Sequence, residues 1–359
     1  MSGSTRRSVT LKEVAAEAGV SMMTVSAVLR ARPADKYPVA EATRDRVLSA
    51  ARKLRYFPSA VAQGMRGKRI NALGVVLINP DARLQGDPYV CGVLDGVIAV
   101  ANAEGQNTTL FTAGRWSGAQ ESLQTFCDGR TDGLIILSPS PDSDIVPALL
   151  EVGRPFVIVN GQSDDPRVSS VEIEHAARTE EMVGHLLSLG HRRIAYLPGR
   201  AASRSARARH EGYRRALAAA GLSEDPALVP PGFYGIASGY DRTRSLLMTL
   251  PADLRPTALC CGSDQIAVGA LRALHEAGVR VPEQMSVTGF DDIPDAATLD
   301  PPLTTVRQPL EEMGRRAARL LLDAIEAGRP LGVKELLPTE IVHRRSVAPP
   351  PSPTKESVR

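Results

Sequence analysis

The side chains with the most direct chemical implication are basic, and they are concentrated at the start of the chain. Residues 1–69 contain fourteen Lys or Arg and five Asp or Glu, a net charge of +9, although the whole chain carries only +3. Residues 70–359 therefore carry a net charge of −6. Clustered Lys and Arg bind the phosphates of nucleic acids and release their counterions. This distribution predicts a small phosphate-binding head attached to an acidic body.

Two short helices around a glycine turn position these charges, and the stretch from Val9 to Leu29 encodes them. Thr10 and Glu13 have the spacing of a capping box, in which each side chain bonds the backbone N–H of the other. Gly19 ends the first helix because glycine takes the left-handed conformation at little cost. Ser21 is the expected cap of the second helix. The apolar positions of the first helix recur at helical spacing: Leu11, Val14, Ala15 and Ala18.

A third helix must pack on these two, because helices of about two turns are not stable alone. Apolar spacing predicts it from about Glu41 to Leu54. The three helices form a helix-turn-helix unit whose second helix, Met22 to Leu29, would lie in the DNA major groove. The alternative is a helical hairpin with no nucleic-acid partner, and the charge of the head argues against it.

The motif Val-Thr-Leu-x-x-Val-Ala-x-x-Ala-Gly-Val-Ser-x-x-Thr-Val-Ser, from Val9 to Ser26, is followed by Thr43-Arg44 and by Tyr56-x-Pro58. This pattern resembles the lactose-repressor (LacI/GalR) family of bacterial transcription regulators, and the similarity extends to about Arg345. The resemblance implies a ligand-responsive protein that binds a pseudo-palindromic operator as a homodimer.

The family pattern also implies which residues contact DNA. This sequence departs from the family pattern at two of these positions, because Ala27 replaces the usual Arg and Arg30 replaces the usual Asn. Arg30 could restore a phosphate contact from a different angle. The implied DNA-binding residues are Thr10, Ser21, Met22, Met23, Thr24, Ser26, Ala27, Arg30, Tyr56, Ser59, Ala62 and Met65.

Met22 and Met23 occupy the two variable positions of the recognition helix. Methionine forms no strong hydrogen bond, so these side chains could read thymine methyl groups or exclude larger groups. The hypothesis is that specificity depends more than usual on DNA shape. In the alternative interpretation, both methionines pack inward and Thr24 or Ser26 reads the bases.

Residues 58–70 form the connection to the body. Pro58 to Met65 could form about two turns of a marginal helix, which Gly64 weakens. The resemblance implies a hinge helix that orders on DNA, with Met65 as the apolar wedge in the minor groove. The alternative is a plain flexible linker.

From Asn71 onward, strands and helices alternate, which predicts parallel sheets with right-handed crossovers. The chain is also too long for one core. We therefore predict an α/β fold in which a three-helix head precedes a body of parallel sheets. The resemblance implies a hinge helix between them and a two-subdomain body like the type I periplasmic binding proteins. The predicted segments are the head, 1–57; the hinge, 58–70; the ligand-binding and dimerisation domain, 71–345, with a first subdomain of 71–172 and 307–337 and a second of 173–306 and 338–345; and a disordered Pro-rich tail, 346–359.

The predicted strands of the body are Ala72–Ile78, Thr108–Phe111, Gly133–Leu137, Phe156–Val159, Arg193–Leu197, Ala258–Cys261 and Ser286–Phe290. Apolar residues at helical spacing predict a helix over 90–101. The other predicted helices are Gln120–Cys127, Ile145–Val152, Thr179–Leu189, His210–Ala220, Ser238–Leu250, Ser263–Ala277 and Leu310–Ala327. The run near Leu336–His343 is assigned to the second subdomain.

Polar residues follow several strands, at the edge where a ligand binds to a parallel sheet. Asn160, Ser263 and Asp291 each follow a strand, and Arg209 is interpreted as following one and opening a helix. The resemblance implies that Arg209 reaches into the cleft, where its planar fork can hold vicinal hydroxyls or a carboxylate. It also implies that Asp291 binds ligand hydroxyls and that Tyr234 stacks on a sugar or base. The alternative for Arg209 is an arginine on the surface. The alternative for Asp291 is an acidic residue in a turn.

Other classes of function fit less well. The sequence contains no P-loop, Gly-x-Gly-x-x-Gly, His-Glu-x-x-His or Gly-x-Ser-x-Gly motif, and His185 and His191 read as structural. We therefore expect no enzyme. A secreted solute-binding protein would need a signal peptide, which the polar, basic N-terminus does not resemble. The four cysteines lack metal-ligand spacing and are expected to be reduced: Cys91, Cys127, Cys260 and Cys261.

The expected protein is thus a cytoplasmic repressor without cofactor, metal or membrane partner. The resemblance implies that its effector is a sugar or sugar derivative, with a nucleobase as the second choice. Whether the effector releases the operator or is required for binding is left open.

Overall fold

A computed structural model describes residues 9–29, 39–57, 69–77, 87–112, 119–140, 143–161 and 163–351. The chain separates into two compact units, a head, Met1–Ile70, and a body, Asn71–Arg359.

The head contains the three predicted helices, α1 (Leu11–Ala18), α2 (Met22–Leu29) and α3 (Glu41–Leu54). Thr10 and Glu13 form the capping box, and Gly19 has a φ of +63°, as predicted. Ser21 caps α2, because the Thr24 N–H donates to Ser21 Oγ at 3.1 Å. The core of the head consists of Val14, Ala15, Ala18, Val25, Val28, Val47, Ala50 and Ala51.

The first sheet of the body has six parallel strands within the described residues, in the order β10-β5-β4-β3-β1-β2. Its central strands are continuous apolar runs because both of their faces are buried. The strands are β1 (Ala72–Leu77), β2 (Asn107–Thr112), β3 (Gly133–Leu137), β4 (Phe156–Val159), β5 (Ser169–Ile173) and β10 (Lys334–Leu337). The associated helices are α4 (Pro88–Ala103), α5 (Ala119–Phe126), α6 (Ile145–Glu151) and α11 (Leu310–Ala327).

The second sheet, over the same described residues, has three parallel strands in the order β6-β7-β8. These are β6 (Ile194–Leu197), β7 (Ala258–Cys261) and β8 (Ser286–Thr288). The helices around it are α7 (His175–Ser188), α8 (Arg204–Ala219), α9 (Ile236–Thr249) and α10 (Asp264–Glu276). Single-turn 3-10 helices occur at Pro226–Leu228, Ala252–Leu254 and Pro294–Ala297.

The chain passes between the two sheets more than once, and a small antiparallel pair marks this crossover. β9 (Thr305–Arg307) pairs with β11 (Glu340–Val342). Asp292 joins the crossover to the second sheet, because its carboxylate accepts from Arg307 Nε at 2.6 Å and from Arg344 Nη2 at 2.7 Å.

Several strands and the helix Leu310–Ala327 lie where they were predicted, but two helices begin four or more residues earlier. α7 begins at His175 rather than Thr179, and α8 begins at Arg204 rather than His210. The side chain of Ser203 caps α8, and the arginine-rich first turns hide the helical period. Arg209 therefore lies in the second turn of α8 and does not open the helix.

Strand β5 was missed because its residues include Ser169, Ser170 and Glu172. Both serines are buried, and Ser169 Oγ accepts from the Val333 N–H at 3.2 Å, which satisfies a polar group inside the sheet. The assignment of the whole run near Leu336–His343 to the second subdomain was wrong, because Leu336 and Leu337 pair with β5.

The prediction that the disordered tail starts at residue 346 was also wrong. Ser346 is fully buried, accepts from the Thr304 N–H at 2.8 Å and donates to the Val287 carbonyl at 2.6 Å. The Ala348 carbonyl accepts from His191 Nε2 at 2.9 Å. The proline-rich composition predicts disorder, although these bonds join the segment to the second sheet. They also explain why His191 is structural.

Candidate functional site

A cavity of about 660 Å³ lies between the carboxyl-terminal ends of strands from the two sheets. Leu77 and Leu137 end strands of the first sheet at this cavity, and Ser263 and Asp291 follow strands of the second. The cavity brings together all five predicted ligand-binding residues: Asn160, Arg209, Tyr234, Ser263 and Asp291.

Arg209 is 3% exposed and is held on several sides. Its Nη1 donates to the Gly262 carbonyl at 2.5 Å and lies 3.8 Å from Asp291 Oδ1. The guanidinium also lies over the ring of Phe290, with Cζ 3.7 Å from the ring centroid. A buried, hydrogen-bonded guanidinium is pre-organised to bind a polar ligand. The surface alternative for Arg209 is therefore wrong.

Asp291 follows β8 with a φ of +136°, an unusual backbone conformation for a residue with a side chain. Its Oδ1 accepts from Gln308 Nε2 at 2.6 Å. Burial raises the pKa of Asp291 to about 8, although the neighbouring Arg209 acts in the opposite direction. The protonated carboxyl that this shift favours can both donate and accept hydrogen bonds.

This raised pKa predicts pH-dependent stability. The folded body keeps a proton that the unfolded chain releases near pH 4, so the free energy of unfolding falls as the pH rises toward 8. Between pH 7 and 8 we expect the free energy of unfolding to fall by about 1 kcal/mol. Urea denaturation without effector measures this loss. Two other buried groups titrate below this window: burial raises the pKa of Asp264 to about 6 and lowers that of His175.

Asp291→Asn should remove this loss, whereas Asp295→Asn, a matched change at an exposed residue, should retain it. An equal loss in wild type and in Asp291→Asn would contradict the prediction.

A chain of hydrogen bonds crosses the base of the cavity. Arg209 Nε donates to His175 Nδ1 at 3.3 Å, so this nitrogen must accept, and the neutral ring carries its proton on Nε2. That Nε2 lies 3.1 Å from Asn160 Oδ1, and Asn160 Nδ2 donates to the Tyr89 hydroxyl at 2.7 Å. Tyr89 in turn lies 3.4 Å from Ser138 Oγ. Burial and the Arg209 charge lower the pKa of His175, which keeps the ring neutral.

Ser263 and Tyr234 line the same cavity with different roles. Ser263 caps α10, and its Oγ accepts from the Ile266 N–H at 3.3 Å. Tyr234 lies in the loop before α9 and is 37% exposed, so its ring is available to a ligand.

Sequence reasoning missed His175, Tyr89, Gln308 and Ser138. Only Tyr89 had a local signal, because Asp87-Pro88 is a helix start in which the Asp87 side chain accepts from the Val90 N–H. The others act through partners far away in the sequence.

In the head, the structure describes eight of the predicted DNA-binding residues: Thr10, Ser21, Met22, Met23, Thr24, Ser26, Ala27 and Tyr56. Met22 is 53% exposed and Met23 is 70% exposed, so the interpretation that both pack inward is wrong. The Ser21 and Thr24 hydroxyls lie 2.9 Å apart at the start of α2. Tyr56 packs partly against the core of the head. Arg30, Ser59, Ala62 and Met65 lie outside the described residues, as does most of the predicted hinge, 58–70.

The described ranges contain no group of three or more His, Cys, Asp or Glu residues that could hold a metal ion. In the same part of the chain, no helix is long and apolar enough to cross a membrane.

Comparison with known proteins gives matches over almost the whole chain. Residues 10–59 match the bacterial regulatory proteins of the lacI family, and residues 183–347 match a periplasmic binding protein-like domain. The HTH-type transcriptional regulator CelR of Thermobifida fusca is 35% identical over 344 residues, 95% of this chain and 99% of CelR. The HTH-type transcriptional repressor PurR of Erwinia tasmaniensis is 34% identical over 348 residues, 95% of this chain and 98% of PurR.

Solved structures agree with these matches. A CelR–cellobiose complex is 33% identical, with a TM-score of 0.70 over 94% of this chain and 99% of that one. A Lac repressor dimer bound to operator and the anti-inducer ONPF is 30% identical, with a TM-score of 0.80 over 95% of this chain and 100% of that one.

A helix-turn-helix head followed by a two-sheet body with a ligand cleft defines a DNA-binding transcription regulator that responds to a small molecule. The chain belongs to the LacI family of bacterial regulatory proteins.

Proposed function

We propose that this chain is a cytoplasmic repressor that binds a pseudo-palindromic operator as a homodimer and responds to a neutral sugar or sugar derivative. Arg209, Asp291, Asn160, Ser263 and Tyr234 bind this effector. The hinge, 58–70, carries the Met65 wedge. The two subdomains have the boundaries predicted above, except that β5 keeps the first subdomain through Ile173 and the second continues past Arg345 to Ala348. The relatives are transcription regulators, which supports a role in binding rather than catalysis.

The observation that carries the effector class is the chemistry of the cavity. Its volume lies in the range of small-molecule sites, about 300–1,000 Å³. Arg209 is a buried donor fork, the raised pKa of Asp291 gives a carboxyl that donates and accepts, and Tyr234 offers an aromatic face. The remaining polar lining includes uncharged hydroxyls from Ser138, Ser140, Ser203, Ser205, Ser238 and Ser263. A neutral ligand with several hydroxyls and one flat apolar face fits this combination.

The CelR complex contains cellobiose, which makes this disaccharide the first probe. An effector is expected to act by binding the two arrangements of the subdomains with different affinity. Fluorescence anisotropy of a selected operator, with full-length protein and a panel of neutral sugars including cellobiose, tests this. The sign of the change in operator affinity separates release from corepression. A panel of purine bases tests the second choice, because a base could also stack on Tyr234. Binding of bases alone would contradict the sugar proposal.

The exposure of Met22 supports a direct role in choosing the operator. A methionine at this position can contact a thymine methyl in the major groove. Met22→Ala should therefore reduce the preference for one base pair in each half-site by about 1 kcal/mol of binding free energy. This value is within the usual cost of a mismatched pair. Selection from random duplexes measures this preference. Leu48→Ala is the matched control, because Leu48 is an exposed apolar residue on α3. An unchanged half-site preference in Met22→Ala would assign the reading to Thr24 or Ser26.

A further inference from the structure

One wall of the effector cavity is an aromatic loop, residues 230–235. Phe233 and Tyr234 are the large side chains of this loop, both line the cavity, and both are exposed. Exposed aromatic rings on a loop bind a ligand at a lower ordering cost when the backbone beneath them is fixed. This advantage requires a contact that holds the backbone.

Arg242 on α9 meets this requirement. It is buried, does not line the cavity, and directs its guanidinium at main-chain oxygens. Nη2 donates to the Phe233 carbonyl at 3.2 Å, and Nη1 donates to the Pro198 carbonyl at 2.7 Å and the Pro230 carbonyl at 3.5 Å. Nε donates to the Ser238 carbonyl at 3.0 Å, so one side chain joins the loop to the end of β6 and to α9.

The loop is also fitted closely around this arginine and around the ring of Tyr234. A Cβ on Gly232 would lie 2.6 Å from Arg242 Nε, so the loop backbone packs directly on the guanidinium. A Cβ on Gly199 would lie 2.1 Å from Tyr234 Cζ, so the ring rests on the backbone after β6. The Phe233 N–H donates to Ser238 Oγ at 3.1 Å, which ties the loop to the first turn of α9.

We propose that Arg242 is a positioning residue for the effector, which holds the aromatic loop so that Tyr234 presents its ring face to the ligand. The inference rests on the proposed function, because it assigns a role within the same cavity. Arg242 acts without touching the ligand, and the backbone at Gly199 supports the ring of Tyr234.

Hydrogen–deuterium exchange of the full-length protein without effector tests directly whether Arg242 clamps the aromatic loop. In Arg242→Met, amides of the 230–238 segment should exchange at least tenfold faster than in wild type, while the strands of the second sheet exchange at the wild-type rate. Arg244→Met is the matched control, because Arg244 is exposed on the same helix. Unchanged exchange in the loop, or uniformly faster exchange across the second sheet, would overturn the proposal. If Arg242→Met does not fold, Arg242→Lys replaces it, with intermediate loop exchange in support and wild-type exchange against.

Calorimetry with cellobiose tests the consequence for binding. Arg242→Met and Gly199→Ala should each weaken binding at least tenfold, and Arg244→Met should not. In a Tyr234→Ala background, Arg242→Met should cause no further loss, because the arginine acts through that ring; a full additional loss would overturn the positioning role. If wild type does not bind cellobiose, the effector proposal fails for this sugar, and the exchange measurement still decides the role of Arg242.

Discussion

Arg209→Ala is expected to shift the effector response to much higher effector concentrations and to leave operator affinity without effector nearly unchanged. The guanidinium is buried over Phe290 and shares the cavity edge with Asp291. Hydrogen bonds from a charged group contribute about 1.5–3 kcal/mol each. Effector affinity should therefore fall by about 10- to 150-fold for one such bond, since about 1.4 kcal/mol is tenfold. Anisotropy of a labelled operator, titrated with the effector, measures both quantities.

Arg214→Ala is the matched control for this experiment, because Arg214 lies on the same helix with a side chain that is 60% exposed. It should respond like wild type. A mutant at Arg209 that responds at the wild-type effector concentration would remove Arg209 from the site and would contradict the assignment of the cavity.

The second large effect is expected from salt. The head has a net charge of +9, and five of its basic residues are exposed on the described helices and their ends: Lys12, Arg46, Arg52, Lys53 and Arg55. Each phosphate contact adds about −0.9 to the slope of log K against log salt. With six to ten contacts per dimer, operator affinity should fall by about 10³- to 10⁵-fold between 50 and 200 mM salt.

Effector affinity provides the internal control for the salt experiment, because a neutral ligand in a buried site releases few counterions. It should change little over the same range. Arg214→Gln, a charge change on the body, should leave the operator slope unchanged. A flat operator slope in wild type would show that the basic head does not meet DNA.

The elements predicted well are those that short-range chemistry specifies. The capping box of Thr10 and Glu13, the turn at Gly19 and the apolar run of β1 each depend on residues within one or two turns or on one continuous strand. The missed strand β5 contains buried serines instead, and the Ser169 hydroxyl accepts from the Val333 N–H, 164 residues away in the chain.

The same reasoning separates the predicted and the missed site residues. Resemblance supplied Arg209 and Asp291, but no local pattern indicated that His175 would lie between Arg209 and Asn160. Arg242 looked like any helical arginine, because its partners are backbone oxygens of earlier residues, the most distant of them Pro198. Contacts of this kind exist only once the sheets are assembled.

The clamp made by Arg242 has a consequence for how effector choice can change during evolution or engineering. Its three bonds outside its own helix go to main-chain oxygens, which every amino acid supplies. Side chains at Phe233 and Tyr234 can therefore be exchanged while the anchoring bonds remain. Gly232 and Gly199 lack this freedom, because a Cβ at either would collide with the guanidinium or the ring. A library that varies the two aromatic positions and keeps these glycines and Arg242 would sample new effectors on an intact loop.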